Sequence, residues 1–559
     1  MCPEQGLQQS AGTDRVIILQ CPACELRYCE PLVSVDYSEV DHDGLKFYLD
    51  QGAGIDVMLE LLSLVDGRSI HSYLEIGCSF GFVMEYARSI LGWEVRGFDP
   101  GVIAATGKTV LGLPIENTYF DVSDGHEGDV DLIYCSEVIE HIGRPQEFMG
   151  LIRRALRPEG LLLMTTPNGD ALTAGAVRET LLPILSPGHH LVFYNAASLE
   201  MLLRQNGFGY VRIVENATQL RIAASRIPFT GESNHFTRDR YRHFLNASVA
   251  KYGTDNVIAV GFLYRLLKEL VNSGRYDEAG RPYAQLCRIF AHQYGVDIDA
   301  LDEFPFPPPR GVSLGEFGRR WPFNLCGVWY FRGLIQFLGE GAPRQAAPTF
   351  AAAFRFGAAL RALLVDMGTE DVETAVLCRE AELARLGALA QSDRPRALEA
   401  FREIAENRGG LDPASLASHA ARARKRLFTD LVNLGDYVAA GQLVEANRPP
   451  FDGPLDTETL PVALAWGIYQ LNHRSDFAGA CAVFSEIGDA ARNSPQSERF
   501  YWDGRFHQGL ACKYLGDLAT AKAIWAELSH PSPDSPAVPL DYALRAPELI
   551  DRHSAPPHS

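Results

Sequence analysis

The chain has 559 residues and an ordinary share of apolar residues, a length that exceeds one hydrophobic core, so we expect several domains. Its formal net charge of −19 argues against a nucleic-acid partner, because phosphate groups would be repelled over most of the surface. No apolar run reaches the length needed to cross a bilayer, and the 11 cysteines follow no disulfide-type spacing, so we expect a cytoplasmic protein.

The N-terminal segment, residues 1–35, contains a C-x-x-C pair formed by Cys21 and Cys24, with Cys29 close behind. Two thiolates at this spacing could bind zinc. A closed structural zinc site needs four ligands, however, and no second C-x-x-C or H-x-x-x-H pattern follows nearby. Reduced, partly buried thiols are the alternative, which we favour, and we assign no metal to this segment.

The next pattern is a strand, a glycine turn, a helix and a second strand. Residues 73–76 are a short apolar run, and the turn opens at Gly77. Apolar residues then recur at helical spacing over residues 82–90, and the strand-like run 95–98 ends in Asp99. This order is the skeleton of a nucleotide-binding βαβ unit.

The residue types in this turn fit a ligand that approaches the backbone. Gly77, Ser79 and Gly81 allow a sharp turn, and the helix that follows presents free N–H groups. The carboxylate of Asp99 could accept hydrogen bonds from two ribose hydroxyls. Glu75 would repel a pyrophosphate but suits a cationic ligand, and the third glycine of the G-x-G-x-x-G pattern is missing. An NAD-dependent enzyme is therefore disfavoured, while an ordinary βα turn in another α/β enzyme stays open.

The run from Glu75 to Gly81, EIGCSFG, resembles the first motif of class I S-adenosylmethionine (SAM) methyltransferases. The resemblance implies a Rossmann-like α/β domain with a seven-stranded sheet, which we place at residues 36–226. It also implies SAM as the cofactor, with Asp99 at the ribose. The residues expected around the methionine and sulfonium end of SAM are Glu75, Gly77, Cys78, Ser79 and Gly81.

A second resemblance follows the strand of residues 131–136. The sequence E-V-I-E-H, from Glu137 to His141, is similar to the fourth motif in the branch that contains ubiquinone-biosynthesis O-methyltransferases. In some members of that branch E-x-x-E-H carries a divalent cation. We favour the alternative that Glu140 and His141 cap and orient the next helix, and we assign no metal. The resemblance adds Cys135 and Glu137 to the cofactor pocket, and Asp121 at the adenine amino group.

The remainder of the domain resembles the same branch. A turn is predicted at residues 157–160 before a strand that ends in T-T-P-N, and residues 169–187 form a candidate lid or acceptor loop. His190 occupies the motif position in G-H-H-L-V-F-Y. A neutral imidazole can accept a proton from an attacking hydroxyl, so His141 and His190 are the candidate catalytic residues. A lone histidine is more often structural, and this alternative stays open.

After about residue 230 the sequence predicts helices. One short signature recurs: a small residue at a turn, a large apolar residue two positions on, and an alanine three further. The copies start at Gly274, Gly435, Ser475 and Gly516. This pattern is typical of tetratricopeptide (TPR) repeats, although the spacing is irregular and a general helical bundle is the alternative. We predict a helical block at 227–302, a Pro-rich linker at 303–311, a TPR-like domain at 312–530 and a flexible tail at 531–559.

The sequence thus predicts a SAM-dependent methyltransferase joined to a TPR-like α-solenoid. The acceptor that we expect is an oxygen of a saccharide or small metabolite, while nitrogen and carbon acceptors stay open. The TPR-like region suggests a protein partner. The alternative function is an interaction or scaffold protein whose methyltransferase fold binds SAM but has little or no activity.

Overall fold

The computed structural model describes residues 6–11, 14–30, 37, 43–121, 128–230, 233–308, 311–406, 413–444, 449–451, 453–492, 495–530 and 540–552. The chain forms two compact units. The first contains Met1–Gly341 and Thr349–Cys378, and the second contains Ala342–Pro348 and Arg379–Ser559.

The first unit contains two sheets. The strands, in chain order, are β1 (Gly6–Ala11), β2 (Asp14–Gln20), β3 (Arg27–Glu30), β4 (Ser72–Ile76), β5 (Glu94–Phe98), β6 (Ile115–Glu116), β7 (Val130–Ser136), β8 (Leu156–Pro167), β9 (Val192–Phe193), β10 (Tyr210–Glu215) and β11 (Gln219–Ser225). The large sheet has the order β10-β11-β8-β7-β4-β5-β6 and confirms the predicted seven strands. Strands β4 to β8 in it are parallel, and β11 pairs antiparallel with β8 and β10.

The small sheet has the order β1-β2-β3-β9 and is antiparallel throughout. Strand β9 begins two residues after His190, so the N-terminal strands pair with the domain of residues 36–226 rather than forming a separate segment. The C-x-x-C pair lies in the turn between β2 and β3, where Cys21 is buried and Cys24 is half-buried. Cys29 contacts the backbone oxygen of His190. The pairing of β3 with β9 joins residues more than 160 positions apart, so no local pattern could have predicted it.

The helices of the first unit, some of which extend into the second, are α1 (Asp43–Asp50), α2 (Ile55–Glu60), α3 (Phe82–Tyr86), α4 (Val102–Leu111), α5 (Pro145–Ala155), α6 (Arg178–Leu185), α7 (Ala196–Gln205), α8 (Arg238–Tyr252), α9 (Ala259–Asn272), α10 (Tyr276–Tyr294), α11 (Leu314–Arg320), α12 (Leu325–Leu334), α13 (Pro343–Asp366) and α14 (Val372–Ser392). Short 3-10 helices lie at Gly52–Gly54, Leu61–Leu64, Ile139–His141 and Gly169–Ala171. Helices α3 and α12 continue into π-helical turns at Ala87–Leu91 and Ile335–Gly339.

Two predicted local features differ from the structure. The predicted turn at residues 157–160 is part of β8, which begins at Leu156 and accommodates these residues in an irregularity opposite Val130 and Leu132. The described part of the predicted linker, residues 303–308, packs inside the first unit. There Phe304 lies 4.8 Å from Trp329 between ring centroids. Its aromatic residues, which separate the prolines, supply that contact.

The second unit is all-helical in its described residues and confirms a helical C-terminal region. Its helices are α15 (Arg394–Ala405), α16 (Pro413–Asn433), α17 (Tyr437–Gly441), α18 (Leu460–Tyr469), α19 (Phe477–Ala491), α20 (Glu498–Tyr514), α21 (Leu518–Ser529) and α22 (Leu540–Arg552), with a π-helical turn at Gln470–Arg474 and a 3-10 helix at Pro495–Ser497. The prediction of a flexible tail at residues 531–559 is wrong for Leu540–Arg552, which form α22. This helix packs through Ala546, Leu549 and Ile550. Its apolar residues were obscured by the Pro- and Ser-rich composition around them.

The repeated signature has one local structure in all four copies. The turn residues Gly274, Gly435, Ser475 and Gly516 have positive φ angles of 72°, 74°, 54° and 87°. The second helix of each pair then buries an alanine completely, at Ala279, Ala440, Ala480 and Ala521. Alanine allows two helices to cross closely, which explains the pattern. A TPR solenoid as such stays a prediction.

One helix among the described residues, Pro343–Asp366, is long and apolar enough to cross a membrane by length and composition alone. Half of its most apolar window is buried within the protein. Phe350, Phe356 and Leu360 in it are fully buried. A core helix passes the same test of length and composition, so this observation is weak evidence for a membrane span.

Candidate functional site

A cavity of about 860 Å³ lies at the carboxyl ends of β4, β5 and β7. This is the edge at which parallel α/β sheets bind their ligands. Its wall is formed by the β4–α3 turn, the residues after β5, the loop after β6 and the start of the β7–α5 connection; these are Gly77–Ser79, Asp99–Ile103, Thr118–Phe120, Ser136–Val138 and His141–Gly143. The volume suits a cofactor and a small acceptor together.

The glycines of the β4–α3 turn are required by packing as well as by backbone angle. Gly77 has a φ of 74°, and a Cβ there would lie 2.4 Å from Cγ2 of Val138. Gly81 has a φ of 86° and precedes the first residue of α3, where a Cβ would lie 2.7 Å from Cδ1 of Leu113. Gly77 lies on the cavity wall, whereas Gly81 sets the start of the helix behind it.

Asp99 links the end of β5 to the turn. Its Oδ2 accepts a hydrogen bond from the backbone N–H of Ser79 at 2.8 Å, and its Oδ1 accepts one from that of Gly101 at 2.7 Å. Burial raises the pKa of Asp99, while these two N–H groups oppose the shift. The carboxylate is thereby held at the cavity wall, where its remaining lone pairs can accept from a ribose diol.

Glu75 is almost fully buried at 3% exposure and accepts a 2.7 Å hydrogen bond from the hydroxyl of Tyr73. Burial raises its pKa to about 8, against the hydrogen bond from Tyr73, and the nearby charge of Asp99 adds to the rise. A bound cation would lower this pKa and hold the carboxylate ionised. The position is therefore suited to the positively charged end of a ligand.

Two glutamates stand beyond the end of β7. Glu137 has a φ of 54° and accepts hydrogen bonds from Thr165 at 2.8 Å and Gln219 at 3.1 Å. Glu140 is 1% exposed and accepts from Thr166 at 3.0 Å. Burial, with the charge of Glu137 as a second cause, raises the pKa of Glu140 well above its usual range.

A histidine pair lies beside Glu140. Nδ1 of His141 is 2.9 Å from the backbone oxygen of His189 and 2.7 Å from the hydroxyl of Tyr37. Nε2 of His141 is 3.9 Å from Oε1 of Glu140. The ring of His190 lies 4.8 Å from that of His141 between centroids, and its Nδ1 is 2.6 Å from the backbone oxygen of Ile184.

Burial lowers the pKa of both histidines, that of His190 to about 4. Both imidazoles are therefore neutral at pH 7. If Nδ1 of His141 donates to His189, its Nε2 carries the free lone pair. His141 lies on the cavity wall, so that lone pair is available to a ligand there. His190 lies behind it and buttresses the ring.

Glu140, His141 and His190 also form a group that could hold a metal ion, because one ligand atom from each lies within 4.8 Å of the others. This set contains His190 in place of Glu137, so it differs from the predicted E-x-x-E-H set. Ligand atoms at about 2.0–2.2 Å from an ion lie closer together than this, so the three side chains would have to contract. The residue types fit zinc or another divalent transition metal. The distances between the ligand atoms fit such an ion only if the three side chains move closer together.

The structure brings most of the predicted site residues to one cavity. Glu75, Gly77, Cys78, Ser79, Asp99, Glu137 and His141 all line it. Three predicted cofactor residues do not: Gly81 starts α3, Cys135 is fully buried in the core of the sheet, and Asp121 is exposed one residue after the lining residue Phe120.

The sequence analysis missed three tyrosines on the wall, Tyr37, Tyr48 and Tyr119. Tyr48 hydrogen-bonds Ser79 through its hydroxyl, and its pKa is raised by burial. The hydroxyl of Tyr119 accepts from the backbone N–H of Tyr37 at 3.3 Å. These tyrosines come from α1 and from loops that carry no motif, so no local signal could have identified them.

Comparison with known proteins gives the following matches. A family model described as "Methyltransferase domain" matches residues 44–213. A probable S-adenosylmethionine-dependent methyltransferase of Mycolicibacterium smegmatis is 30% identical over 146 residues, which cover 25% of this chain and 52% of that protein. The mitochondrial ubiquinone biosynthesis O-methyltransferase of Schizosaccharomyces pombe is 26% identical over 201 residues, which cover 31% of this chain and 73% of that protein.

Among solved structures, a match is phosphoethanolamine N-methyltransferase 2 of Haemonchus contortus in complex with S-adenosyl-L-methionine. It has a TM-score of 0.29 and 15% identity, and the match covers 40% of this chain and 71% of that one. The chain thus spans between about half and three quarters of the length of these relatives.

Proposed function

We propose that residues 44–213, a SAM-dependent methyltransferase domain with S-adenosylmethionine as its cofactor, transfer a methyl group to a hydroxyl oxygen of a small-molecule or saccharide acceptor. One observation carries the proposal. One cavity is lined by Ser79 of the β4–α3 turn, by the carboxylate of Asp99, which we expect to bind the ribose, and by the neutral imidazole of His141. Both a donor and a proton acceptor can therefore act in the same enclosed space.

Several side chains fit the cofactor. SAM, when bound, supplies an electrophilic methyl group on a sulfonium sulfur. Asp99 would accept from the ribose hydroxyls, since two backbone N–H groups already fix its orientation. Glu75 would face the cationic end, with a pKa that such a charge would lower. Tyr48, which also lines the cavity, hydrogen-bonds the side chain of Ser79.

We assign to His141 the role of accepting the proton of the acceptor. Its Nε2 would take the hydroxyl proton as the oxygen is methylated; SAM would supply the methyl group and leave as S-adenosylhomocysteine. Tyr37 and the backbone of His189 orient the ring through Nδ1. The chain contributes further by holding the acceptor in line with the methyl carbon and by excluding water.

The test has two stages on the full chain. Isothermal titration measures SAM affinity, and release of S-adenosylhomocysteine is then measured with 4-methylcatechol, methyl glycosides and cell extracts. We expect SAM binding and turnover, with His141→Gln reducing kcat about 100-fold at unchanged SAM affinity. His243→Gln, at an exposed position on α8, is the control and should leave both unchanged. Failure to bind SAM would contradict the proposal.

The alternative is that the chain acts as an interaction protein, with little or no methyl transfer. The positive-φ turns and the buried alanines of the helix pairs favour a TPR-like region that binds a protein partner. SAM binding without turnover in any extract would support this alternative. Turnover that needs His141 would contradict it.

A further inference from the structure

The described wall of the cavity presents carboxyl groups and no cationic side chain. Three carboxyl groups line it, those of Glu75, Asp99 and Glu137, and a fourth, Glu140, is buried close behind. No lysine or arginine occurs among the described residues of the wall. An anionic group in this space would therefore lose its hydration without gaining a cationic side chain as its partner.

The segments that adjoin the cavity in sequence have the same character. The stretches 28–45, 109–143, 158–177 and 179–203 contain no lysine or arginine. The residues of these stretches that lie outside the described part of the chain are 31–36, 38–42 and 122–127, and they add Asp36, Glu39, Asp41, Asp124 and Glu127. These residues therefore add no lysine or arginine.

The cations near this edge of the sheet have other partners. Arg27 donates to the backbone oxygen of Gly169. Arg96 on β5 pairs with Glu116 at 2.8 Å. Lys46 pairs with Asp50 on α1. Redirecting any of them to a ligand would break an existing contact.

We infer that the acceptor reaches this cavity without a phosphate, sulfate or carboxylate group near its reacting hydroxyl. The inference rests on the proposed function and names its substrate class: an uncharged, hydroxylated ring. The aromatic side chains of Tyr37, Tyr119, Phe120 and Phe148 on the wall offer flat apolar faces to such a ring. Sugar phosphates and sugar nucleotides are excluded as acceptors.

Charge selection can be measured without knowing the acceptor. The probes are N-phenyl-1-naphthylamine, which is neutral, and 8-anilinonaphthalene-1-sulfonate, which adds a sulfonate to the same aromatic frame. Both are titrated into the full chain loaded with S-adenosylhomocysteine. We expect the neutral probe to bind at least about 10-fold more tightly, a ratio within reach of one unfavourable charge contact. Equal affinities would overturn the inference.

A charge variant assigns the effect to the cavity. Val57 lies on the wall and is 49% exposed, so a longer side chain is accommodated there. Val57→Lys should tighten binding of the sulfonated probe and leave the neutral probe unchanged, whereas the uncharged control Val57→Gln should change neither. If Val57→Lys leaves the sulfonated probe unaffected, the inference is overturned.

Extracts then test the natural acceptor. Extract is separated on an anion exchanger, and each fraction is incubated with the full chain and SAM carrying a deuterated methyl group. We expect labelled product from the unretained fraction. Label confined to retained compounds, and lost after phosphatase treatment, would overturn the inference on charge. Label in no fraction would instead contradict the proposed function, while the two-probe comparison still decides the question of charge.

Discussion

We expect cofactor binding to depend most directly on Asp99. Its carboxylate accepts two backbone hydrogen bonds and faces the cavity, so Asp99→Asn removes the charge and one acceptor atom with little change in volume. Hydrogen bonds to charged groups contribute about 1.5–3 kcal/mol, so we expect SAM affinity to fall roughly 10- to 100-fold. Isothermal titration measures this. The control is Asp121→Asn, which alters an exposed acid outside the cavity wall and should leave the affinity unchanged. Equal affinities for the two variants would contradict the assignment.

His190 predicts a pH dependence of stability. Burial lowers its pKa from 6.5 to about 4, so protonation favours the unfolded state. Its stabilising contribution is complete above pH 6.5 and is lost as the pH falls towards 4, by roughly 3 kcal/mol in total. His190→Asn keeps a donor for the backbone oxygen of Ile184 and removes the titration.

The measurement is the free energy of unfolding of both proteins between pH 4 and pH 7. Glu75, whose pKa is raised to about 8, acts in the opposite direction: its contribution is present at low pH and is lost as the pH rises. Only the difference between the two proteins therefore isolates His190. We expect the wild type to lose more stability than His190→Asn on acidification, and parallel curves would refute the role of His190.

At the scale of elements, the β4–α3 turn depends on its fit against the connection after β7. A Cβ at Gly77 would lie 2.4 Å from Val138, and the positive φ of Gly77 adds strain for any other residue. We expect Gly77→Ala to lower stability by about 1–3 kcal/mol and to weaken SAM binding. The second substitution, Val138→Ala, removes the steric contact. The double variant should therefore recover the part of the lost stability that comes from this contact, whereas the part that comes from backbone strain should remain. Thermal unfolding and SAM titration of both variants test this; no recovery in the double variant would show that the contact is unimportant.

The elements that the sequence predicted well are those with local signals. The strand, turn and helix from Ser72 to Tyr86, and Asp99 at the end of β5, follow from apolar spacing and glycine positions within 30 residues. The pairing of β3 with β9 and the contact between Tyr37 and His141 join distant residues, and no local pattern predicts such pairing. The helix pairs were recognised for the same local reason, since each copy carries its turn and alanine within six residues.

At the scale of the whole molecule, the first unit extends well beyond the region that the methyltransferase family model matches. Helix α9 places Phe262 5.3 Å from Phe82 of α3, between ring centroids. It also buries Arg265, which donates to the backbone oxygen of Gln51 at 2.7 Å and pairs with Asp56 at 3.2 Å and Glu373 at 2.7 Å. The helices after residue 230 therefore complete the hydrophobic core that supports the β4–α3 turn.

This dependence leads to a prediction about shortened chains. Residues 1–392 keep the first unit and all of α14, so we expect cooperative unfolding and SAM affinity within about threefold of the full chain. Residues 1–230 expose Phe82 and leave Asp56 without Arg265, so we expect loss of cooperative unfolding and of SAM binding. Because that chain would fail to fold for several reasons, Arg265→Ala in the full chain isolates the ion pairs; breaking a buried pair costs about 3–5 kcal/mol. A stable, SAM-binding 1–230 chain would show instead that the sheet domain is independent of the helices that follow it.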